Sequence, residues 1–570
     1  MAEAVLERER KFAIDEQAPM PDLTAALGEG ELSLVKRPTI ELRATYFDAA
    51  DLRLLRSGAT LRLRRGGADA GWHLKLPAGV KSPAGVRSPA GDPYQRTELR
   101  RPLGADALAG SLEAVPEELV DLAFARLRGA ALEPVAELRT LRTVTEVHDR
   151  NGATLVEVAD DLVVANPTGE PPLRWREVEV EESPGGGEVA GRIAELLLES
   201  GARPDGGGPK LARALGMSLP SRAGAPQADA GAAASRRAHR RPQRRTVHEA
   251  AHLPVDAGAS GPGPATLGRG PTGRVGHPAV LAAVLGRIAD QAEQLVLQDV
   301  AVRRNEDDSV HQMRVASRRL TSALKTFGGL LEDGPTSHLS GELKWIAGLL
   351  GSARDAEVMR AALEAELDAL PPEQLLGPVR ATLSERLIAA QLVAGEELAV
   401  AMRSERYAAL LDELEGFVAT PPLRAGSGRE LERLALRRVR RDLRAVRRLM
   451  GAASRRVGRA RELSLHDARK RAKRARYALE TIAPACGKPA VALASRYEVL
   501  QTALGEHHDA FVIAELLREE GARAGVRAGE NGYTFGVLAG IQRCRGERGE
   551  EAAWRAFELA DRRTRRRFLR

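Results

Sequence analysis

Polar and apolar residues alternate in short runs through the first 217 residues, and Gly, Pro and Asp separate the runs. A period of two residues predicts strands, and Gly and Pro mark their ends. The predicted strands cover 41–47, 59–65, 71–77, 95–101, 141–147, 153–159 and 176–182, and helices are expected at 112–128 and 188–200. Residues 1–217 are therefore predicted to form a strand-rich α/β domain. Within it, segment 81–93, with its repeated SPAG, is predicted to be a mobile hairpin loop.

The apolar pattern stops between 218 and 275, where Ala, Gly, Pro, Ser and Arg dominate. Such a segment cannot bury a core, so a disordered linker is predicted. Its arginine cluster at 235–245 is either a solvated tether, which is the simpler interpretation, or a contact for a polyanion.

From 276 to 570 apolar residues recur with helical spacing, and the helical half contains an internal repeat. HQMRVASRRL at 311 and HDARKRAKRA at 466 share His, Arg at +3, a basic residue at +7 and Arg at +8. Downstream, LGSARDAEV at 350 and LGEHHDAFV at 504 share LG-x3-DA-x-V. We therefore predict an all-α domain of two duplicated helical bundles related by pseudo-symmetry.

Charged residues alternate with apolar ones on several of the predicted strands. Glu7, Glu9 and Lys11 would share one strand face, as would Arg62 and Arg64. An open sheet with one solvated face explains any single strand of this kind. Mixed, long charged side chains on most strands fit a closed barrel with a polar interior better. Carboxylates ringed by cations in such a cavity indicate a site for a metal-bound polyphosphate.

Composition narrows the class of partner. The net charge of +8 and the pI of about 9.7 imply an anion, while aromatic residues make up only 3% of the chain. This shortage disfavours folds that stack nucleic-acid bases and favours a partner made of phosphates alone. Cys486 and Cys544 are too few for a disulfide framework or a thiolate zinc site. Neither a membrane-spanning run nor a signal peptide is found, so a soluble cytoplasmic protein with no membrane partner is expected.

The amino-terminal motifs resemble the CYTH superfamily, the triphosphate tunnel metalloenzymes. E-R-E-R-K at 7–11 matches the ExExK signature. Four further matches follow in the family's order: residues 46–65, the lysine of LKLP, RTELRRPL from Arg96 and KLARAL from Lys210. The resemblance implies an α+β chain whose first 217 residues form an antiparallel eight-stranded β tunnel. It also implies Mg²⁺ or Mn²⁺ as cofactor.

The resemblance assigns roles position by position. The implied metal ligands are Glu7, Glu9, Glu177 and Glu179, and the implied catalytic set is Glu7, Glu9, Lys11 and Glu179. The implied substrate-binding residues are Lys11, Arg62, Arg64, Lys75, Arg142, Asp161 (or its neighbour Asp160) and Lys210. Arg100 departs from the family, in which many members carry a second glutamate at this position, so the role of Glu98 stays open.

The two histidines of the helical repeat each start a basic stripe. At 100° per residue, offsets of 0, 3, 7 and 8 fall within about 140° of arc. The stripes comprise His311, Arg314, Arg318, Arg319 and Lys325 in the first repeat, and His466, Arg469, Lys473 and Arg474 in the second. Neighbouring cations disfavour a metal and favour an anion.

With R-Y-x2-E at 476–480, these motifs resemble the CHAD domain, a conserved-histidine helical module associated with inorganic polyphosphate. Asp355 and Asp509 are expected to orient basic side chains or to stabilise the bundle.

The sequence thus predicts a metal-dependent triphosphatase acting on inorganic tripolyphosphate, with a helical polyphosphate-binding domain. The alternative is a non-catalytic polyphosphate-binding protein; adenylate cyclase or thiamine triphosphatase ranks lower because no adenine pocket is recognisable. Nucleic acid is not expected as a specific partner, association with polyphosphate granules is implied, and the oligomeric state is left open.

Overall fold

Alternating strands in the first part of the chain close into a barrel in the computed structural model. The structure describes residues 3–27, 32–77, 95–103, 114–205, 208–217, 279–527, 529–562 and 567–569. The strands are β1 Glu3–Ile14, β2 Ser33–Lys36, β3 Ile40–Asp48, β4 Thr60–Arg65, β5 Gly71–Pro77, β6 Gln95–Pro102, β7 Glu133–His148, β8 Thr154–Pro167, β9 Leu173–Glu182 and β10 Arg203–Pro204. The predicted loop 81–93 and linker 218–275 lie outside the described residues.

Eight of these strands form a closed antiparallel ring in the order β1-β6-β5-β4-β3-β7-β8-β9, because β9 pairs with β1. The short strands β2 and β10 pair with β7 and β1. The predicted eight-stranded antiparallel tunnel is therefore confirmed. Two strands are longer than predicted: β7 begins at Glu133 rather than 141, and β8 extends to Pro167 rather than 159.

Apolar side chains lie on the outside of the tunnel, where short helices cover them. These helices are α1 Arg53–Arg56, α2 Glu117–Leu122, α3 Phe124–Leu127, α4 Gly187–Glu199 and α5 Lys210–Ala214. One outer core joins Leu61, Leu74 and Leu99 to α1, α2 and α3, and a second packs valines of β7, β8 and β9 against α4. Because the apolar face points outward, the charged face of each strand points into the tunnel.

The second half is helical. Its helices are α6 Ala279–Arg303, α7 Ser309–Phe327, α8 Asp333–Ala369, α9 Val379–Met402, α10 Glu405–Ala419, α11 Gly428–Ala453, α12 Gly458–Cys486, α13 Lys488–Ala524 and α14 Tyr533–Ala560. The repeated motifs lie on α7 and α12 and on α8 and α13. Both repeats contribute to one large core, and a smaller core joins α8, α9, α13 and α14.

The tunnel and the helical domain contact each other through α2, α3 and α6. Val300 of α6 belongs to the outer core of the tunnel, and Asp121 of α2 accepts hydrogen bonds from Arg303 at 2.8 Å and Arg403 at 2.9 Å. The Arg303 guanidinium also lies 4.8 Å from the centre of the Phe124 ring. Apolar contact and ion pairs therefore join the two domains.

None of the described helices is both long enough and apolar enough to cross a membrane.

Candidate functional site

Closure of the tunnel brings the first and last strands of the ring together. Lys11 pairs in register with Glu179, and Glu9 pairs with Glu181. In an antiparallel pair, side chains directly opposite point to the same face of the sheet. The charged residues of β1 and β9 therefore share the tunnel interior, as the sequence analysis expects for a closed barrel.

One group of acidic residues inside the tunnel is already neutralised by cations. Oxygen atoms of Asp161, Glu177 and Glu179 lie within 4.8 Å of one another. The Lys210 ammonium lies 3.0, 2.8 and 2.5 Å from these three carboxylates, and Arg142 donates to Asp161 at 2.8 and 2.6 Å and to Glu179 at 2.6 Å. Burial opposes the charge on Lys210, but the three carboxylates outweigh it and raise its pKa well above the ordinary value.

The structure separates the two candidate aspartates. Asp161 is fully buried and faces the tunnel interior beside Lys210. Its neighbour Asp160 instead accepts a hydrogen bond from Arg176 at 2.8 Å. Asp161 is therefore the one placed with the other predicted site residues.

Lys11 connects this group to the glutamates of β1. Its ammonium lies 2.7 Å from Glu9 and 2.5 Å from Glu179. Burial again works against the charge, yet Glu179 and Glu9 raise the pKa of Lys11 above its ordinary value. The lysine of the ExExK motif is thus held as a cation.

A second network surrounds the fully buried Glu98. Its carboxylate accepts from His73 at 2.8 Å and from Arg100, and it lies 3.5 Å from Lys75. Lys75 and Arg100 also contact Glu7, at 2.6 and 3.1 Å. Burial favours the neutral acid, but Lys75 and His73 hold the pKa of Glu98 far below its usual range. Arg100, the departure from the family pattern, thus engages both Glu7 and Glu98.

Glu181 has no cation of its own. In the described part of the chain no Lys, Arg or His forms an ion pair with its carboxylate, and burial together with Glu7 and Glu9 raises its pKa to about 7. Nearby Glu157 also has a raised pKa, mainly because it is buried. Carboxylate oxygens are among the ligands that Mg²⁺ and Mn²⁺ prefer. Glu181, with Glu7 and Glu9 close to it, therefore fits the metal that the fold family implies. In the structure Glu7 is also paired with Lys75 and Arg100, and Glu9 with Lys11.

The arginines of β4 provide the opposite kind of environment. Arg62 donates to the Tyr46 hydroxyl at 3.2 Å and lies 3.6 Å from Glu98, and Arg64 donates to Asp69 at 2.7 Å. Burial and the nearby Arg62 lower the pKa of Arg64 to about 10. A guanidinium whose charged form is disfavoured in this way would be stabilised by a bound anion. These arginines line a narrow cavity with Tyr46, Arg142 and Lys210.

The structure brings the predicted tunnel residues together and adds three that sequence reasoning missed. Glu181 continues the alternation of Glu177 and Glu179, and His73 lies two positions before Lys75, so both could have been found from the strand period. Tyr46 gave no comparable signal, because a single tyrosine in a strand is ordinary. The roles of the predicted residues stay predictions.

In the helical domain, α7 and α12 bring parts of both basic stripes together. Burial and then Arg318, Arg469 and Arg314 lower the pKa of Lys473 to about 6. No carboxylate among the described residues forms an ion pair with Lys473. We call Arg314, Arg318, Arg469 and Lys473 the inner basic site.

The arginine three residues after each histidine of the repeat is paired with the aspartate of the LG-x3-DA-x-V motif. Arg314 donates to Asp355 at 2.7 Å in the first repeat, and Arg469 lies 3.2 Å from Asp509 in the second. The equal arrangement reflects the internal duplication. It leaves Arg318 and Lys473 as the cations of the inner basic site without an ion-pair partner among the described residues.

The remaining predicted residues lie around this site. The centres of the His466 and His508 rings lie 4.2 Å apart with the rings tilted, and His508 was not among the predicted residues. Burial lowers the pKa of His311 and His466 and brings that of His508 to about 4. Arg319 lies 4.0 Å from Glu480 and over the Tyr477 ring. Lys325 and Arg474 form a separate cluster, in which burial and the nearby Arg474 guanidinium lower the pKa of Lys325.

Two domain families match the chain in the predicted order. Residues 6–199 match the CYTH domain, and residues 286–518 match the CHAD domain. The chain is 34% identical over 591 residues to Uncharacterized protein MT2285 of Mycobacterium tuberculosis (strain CDC 1551 / Oshkosh), with 98% of each chain covered.

Two solved structures are similar in part. PptA from Streptomyces chartreusis is 22% identical with a TM-score of 0.41, covering 50% of this chain and 100% of that chain. The CHAD domain from the plant Ricinus communis is 26% identical with a TM-score of 0.38, covering 50% of this chain and 92% of that chain.

Proposed function

Because this chain belongs to the family that joins a CYTH domain to a CHAD domain, we propose that its tunnel hydrolyses inorganic tripolyphosphate with a divalent metal ion. We also propose that its helical domain binds inorganic polyphosphate. One observation carries the first proposal: the Glu181 carboxylate, which forms no ion pair with a cation among the described residues, lies in the same closed tunnel as Arg64, whose positive charge is opposed by burial and by Arg62. A triphosphate bound with its metal ion supplies both missing charges at once.

The residues divide the work of binding. Glu7, Glu9 and Glu181 would hold the metal, which when bound neutralises phosphate charge and polarises the phosphorus. Arg62 and Arg64 would bear the charge on the phosphate oxygens. Glu177 and Glu179 are part of the predicted metal set, but in the structure they hold lysines in place.

The reaction follows from this positioning. A water oxygen forms a bond to the terminal phosphorus, and the bond from that phosphorus to the bridging oxygen breaks. Orthophosphate and pyrophosphate are released, and the water proton passes to the products or to solvent. Carboxylates fix Lys11, Arg142 and Lys210 before the substrate arrives. The negative charge that develops on the phosphate oxygens in the transition state would therefore be stabilised by cations that are already in position.

The test is phosphate release by the full chain from tripolyphosphate, ATP, thiamine triphosphate and long-chain polyphosphate, with Mg²⁺ or Mn²⁺. Tripolyphosphate should be the preferred substrate. Glu9→Gln should reduce release to below about one hundredth, whereas Glu41→Gln, an exposed carboxylate on β3, should not change it. Retained phosphate release by the Glu9→Gln variant would refute the assignment of Glu9 as a metal ligand.

A non-catalytic polyphosphate-binding protein is the second candidate, and Arg100 favours it. At position 100 many family members carry a glutamate, whereas here the Arg100 guanidinium forms ion pairs with both Glu7 and Glu98. The same assay separates the two functions. No phosphate release from any of the four substrates, together with retained binding of long-chain polyphosphate, would establish the second candidate.

A further inference from the structure

The outer face of α11 presents a row of arginines. Arg433, Arg437, Arg441, Arg444 and Arg448 are all exposed, and we call them the α11 arginine stripe. At 100° and 1.5 Å per residue, the five positions fall within about 80° of arc and span about 22 Å. A capping box at Ser427 starts the helix, and its opposite face is buried in the large core. The stripe is therefore a straight row on a firmly held helix.

The stripe faces away from the inner basic site. Asp442 marks the inner face of α11, because it is buried and accepts from Thr326 of α7 at 2.8 Å and lies 3.4 Å from Arg471 of α12. Every arginine of the stripe lies about 100° to 180° around the helix from Asp442. A short anion bound at the inner basic site cannot also contact the stripe, so the stripe is a separate surface.

Within the described residues, no ion pair offsets the charge of the stripe. No member forms an ion pair with a carboxylate among the described residues, and the guanidinium of Arg433 bonds to the backbone oxygen of Arg429 at 3.3 Å. Like charges three or four residues apart destabilise a helix by about 0.2–0.5 kcal/mol per pair. Some other exposed arginines of the helical domain do have acidic partners, as Arg406 has Glu342 at 2.6 Å. A polyanion would supply the missing charge.

The chemistry of the stripe favours a polyanion without bases. Stacking of successive bases uses aromatic rings, and every exposed position within the stripe is an arginine. Its arginines follow one another at about 4.5 to 6 Å along the helix, which suits an extended phosphate chain.

We propose that the α11 arginine stripe is a second binding surface for inorganic polyphosphate and contacts the part of a long chain that the inner basic site does not cover. The proposal rests on the proposed function of the helical domain. Two surfaces that hold one chain raise its affinity well above that of either alone. The protein should therefore distinguish long polyphosphate chains from short ones.

The test replaces all five arginines of the stripe by glutamine, which keeps the helix propensity. The control carries the same change in charge at five exposed arginines that have acidic partners. These are Arg380, Arg406, Arg424, Arg518 and Arg523. Circular dichroism checks that both variants fold, and affinity for long-chain polyphosphate, for tripolyphosphate and for duplex DNA is measured at several salt concentrations.

The stripe variant should bind long-chain polyphosphate at least tenfold more weakly, and its slope of log affinity against log salt should fall by about 3.5, at about 0.7 for each of the five contacts. Its affinity for tripolyphosphate should not change, and the control variant should bind both long-chain polyphosphate and tripolyphosphate as the unaltered protein does. Unchanged long-chain affinity in the stripe variant would overturn the inference while leaving polyphosphate binding by the inner basic site intact. Loss of DNA binding alone would overturn it in favour of a nucleic-acid surface. If the unaltered protein does not bind polyphosphate, the proposed function of the helical domain fails as well.

Discussion

Lys473 should make polyphosphate binding depend on pH. Its half-buried side chain lies near Arg314, Arg318 and Arg469, and partial burial with this repulsion brings its pKa to about 6. At pH 7 only about one site in ten would then carry the proton. A bound polyanion favours the ammonium and raises its pKa. Binding above pH 6 must therefore take up a proton.

The magnitude follows from the pKa. Each pH unit between about 6 and the pKa of the complex costs up to about 1.4 kcal/mol, so affinity should fall by up to tenfold per unit as pH rises. Below pH 6 Lys473 is protonated with or without ligand, and its contribution to the pH dependence disappears. The acidic partners Asp355 and Asp509 belong to Arg314 and Arg469 and do not pair with this lysine.

Titration calorimetry in two buffers of different ionisation enthalpy measures the protons directly. At pH 7 the protein should take up about one proton at Lys473 for each bound chain. The arginine of the Lys473→Arg variant stays charged at all these pH values. Binding to this variant should therefore take up no proton at position 473, and it should be tighter than binding to the unaltered protein at pH 8. Because His311, His466 and His508 are unchanged in this variant, the difference isolates the lysine. Equal proton uptake by the two proteins would refute the reasoning.

The tunnel networks give three further expectations. Arg100→Gln releases Glu7 and should lower the metal concentration for half-maximal phosphate release about fivefold, corresponding to about 1 kcal/mol; an unchanged metal requirement would contradict this. Glu98→Gln leaves buried cations and His73 without their anion, so urea unfolding should show a loss of about 3 kcal/mol. Lys210→Met should lower stability by about 3 kcal/mol at pH 7, because three buried carboxylates lose their shared cation. Lys210 and Arg142 keep the pKa of Asp161 and Glu179 below the ordinary value in the unaltered protein, so these carboxylates should take up protons more readily in the variant as the pH falls. The deficit should therefore shrink between pH 7 and pH 4, and a deficit that stays constant would point to lost packing instead.

The strand period predicted most of the tunnel. Alternation placed Arg62 and Arg64 on one face, and the same rule would have added Glu181. It could not show which carboxylates are neutralised. Glu177 and Glu181 are equivalent in the sequence pattern, yet of the two only Glu177 forms an ion pair with a lysine among the described residues, because Lys210 reaches the tunnel from α5 rather than from a strand. Contacts of that kind depend on tertiary structure.

The helical repeat predicted the partnership of α7 and α12 but not its geometry. Spacing placed Lys325 and Arg474 in the same stripes as Arg318 and Lys473, whereas the structure divides them into two clusters. Helical spacing tells which residues share a face, and the crossing of two helices decides which part of that face meets the partner. The crossing is set by core packing that one sequence does not display.

The contact between the domains has a consequence for how the chain unfolds. Val300 completes the outer core of the tunnel, and Asp121 is held by arginines from α6 and from the end of α9. A tunnel excised at residue 217 would expose the apolar surface that Val300 covers and leave Asp121 without its partners. The tunnel and the helices should therefore melt in one cooperative transition, and either half alone should be less stable and less soluble than the whole chain.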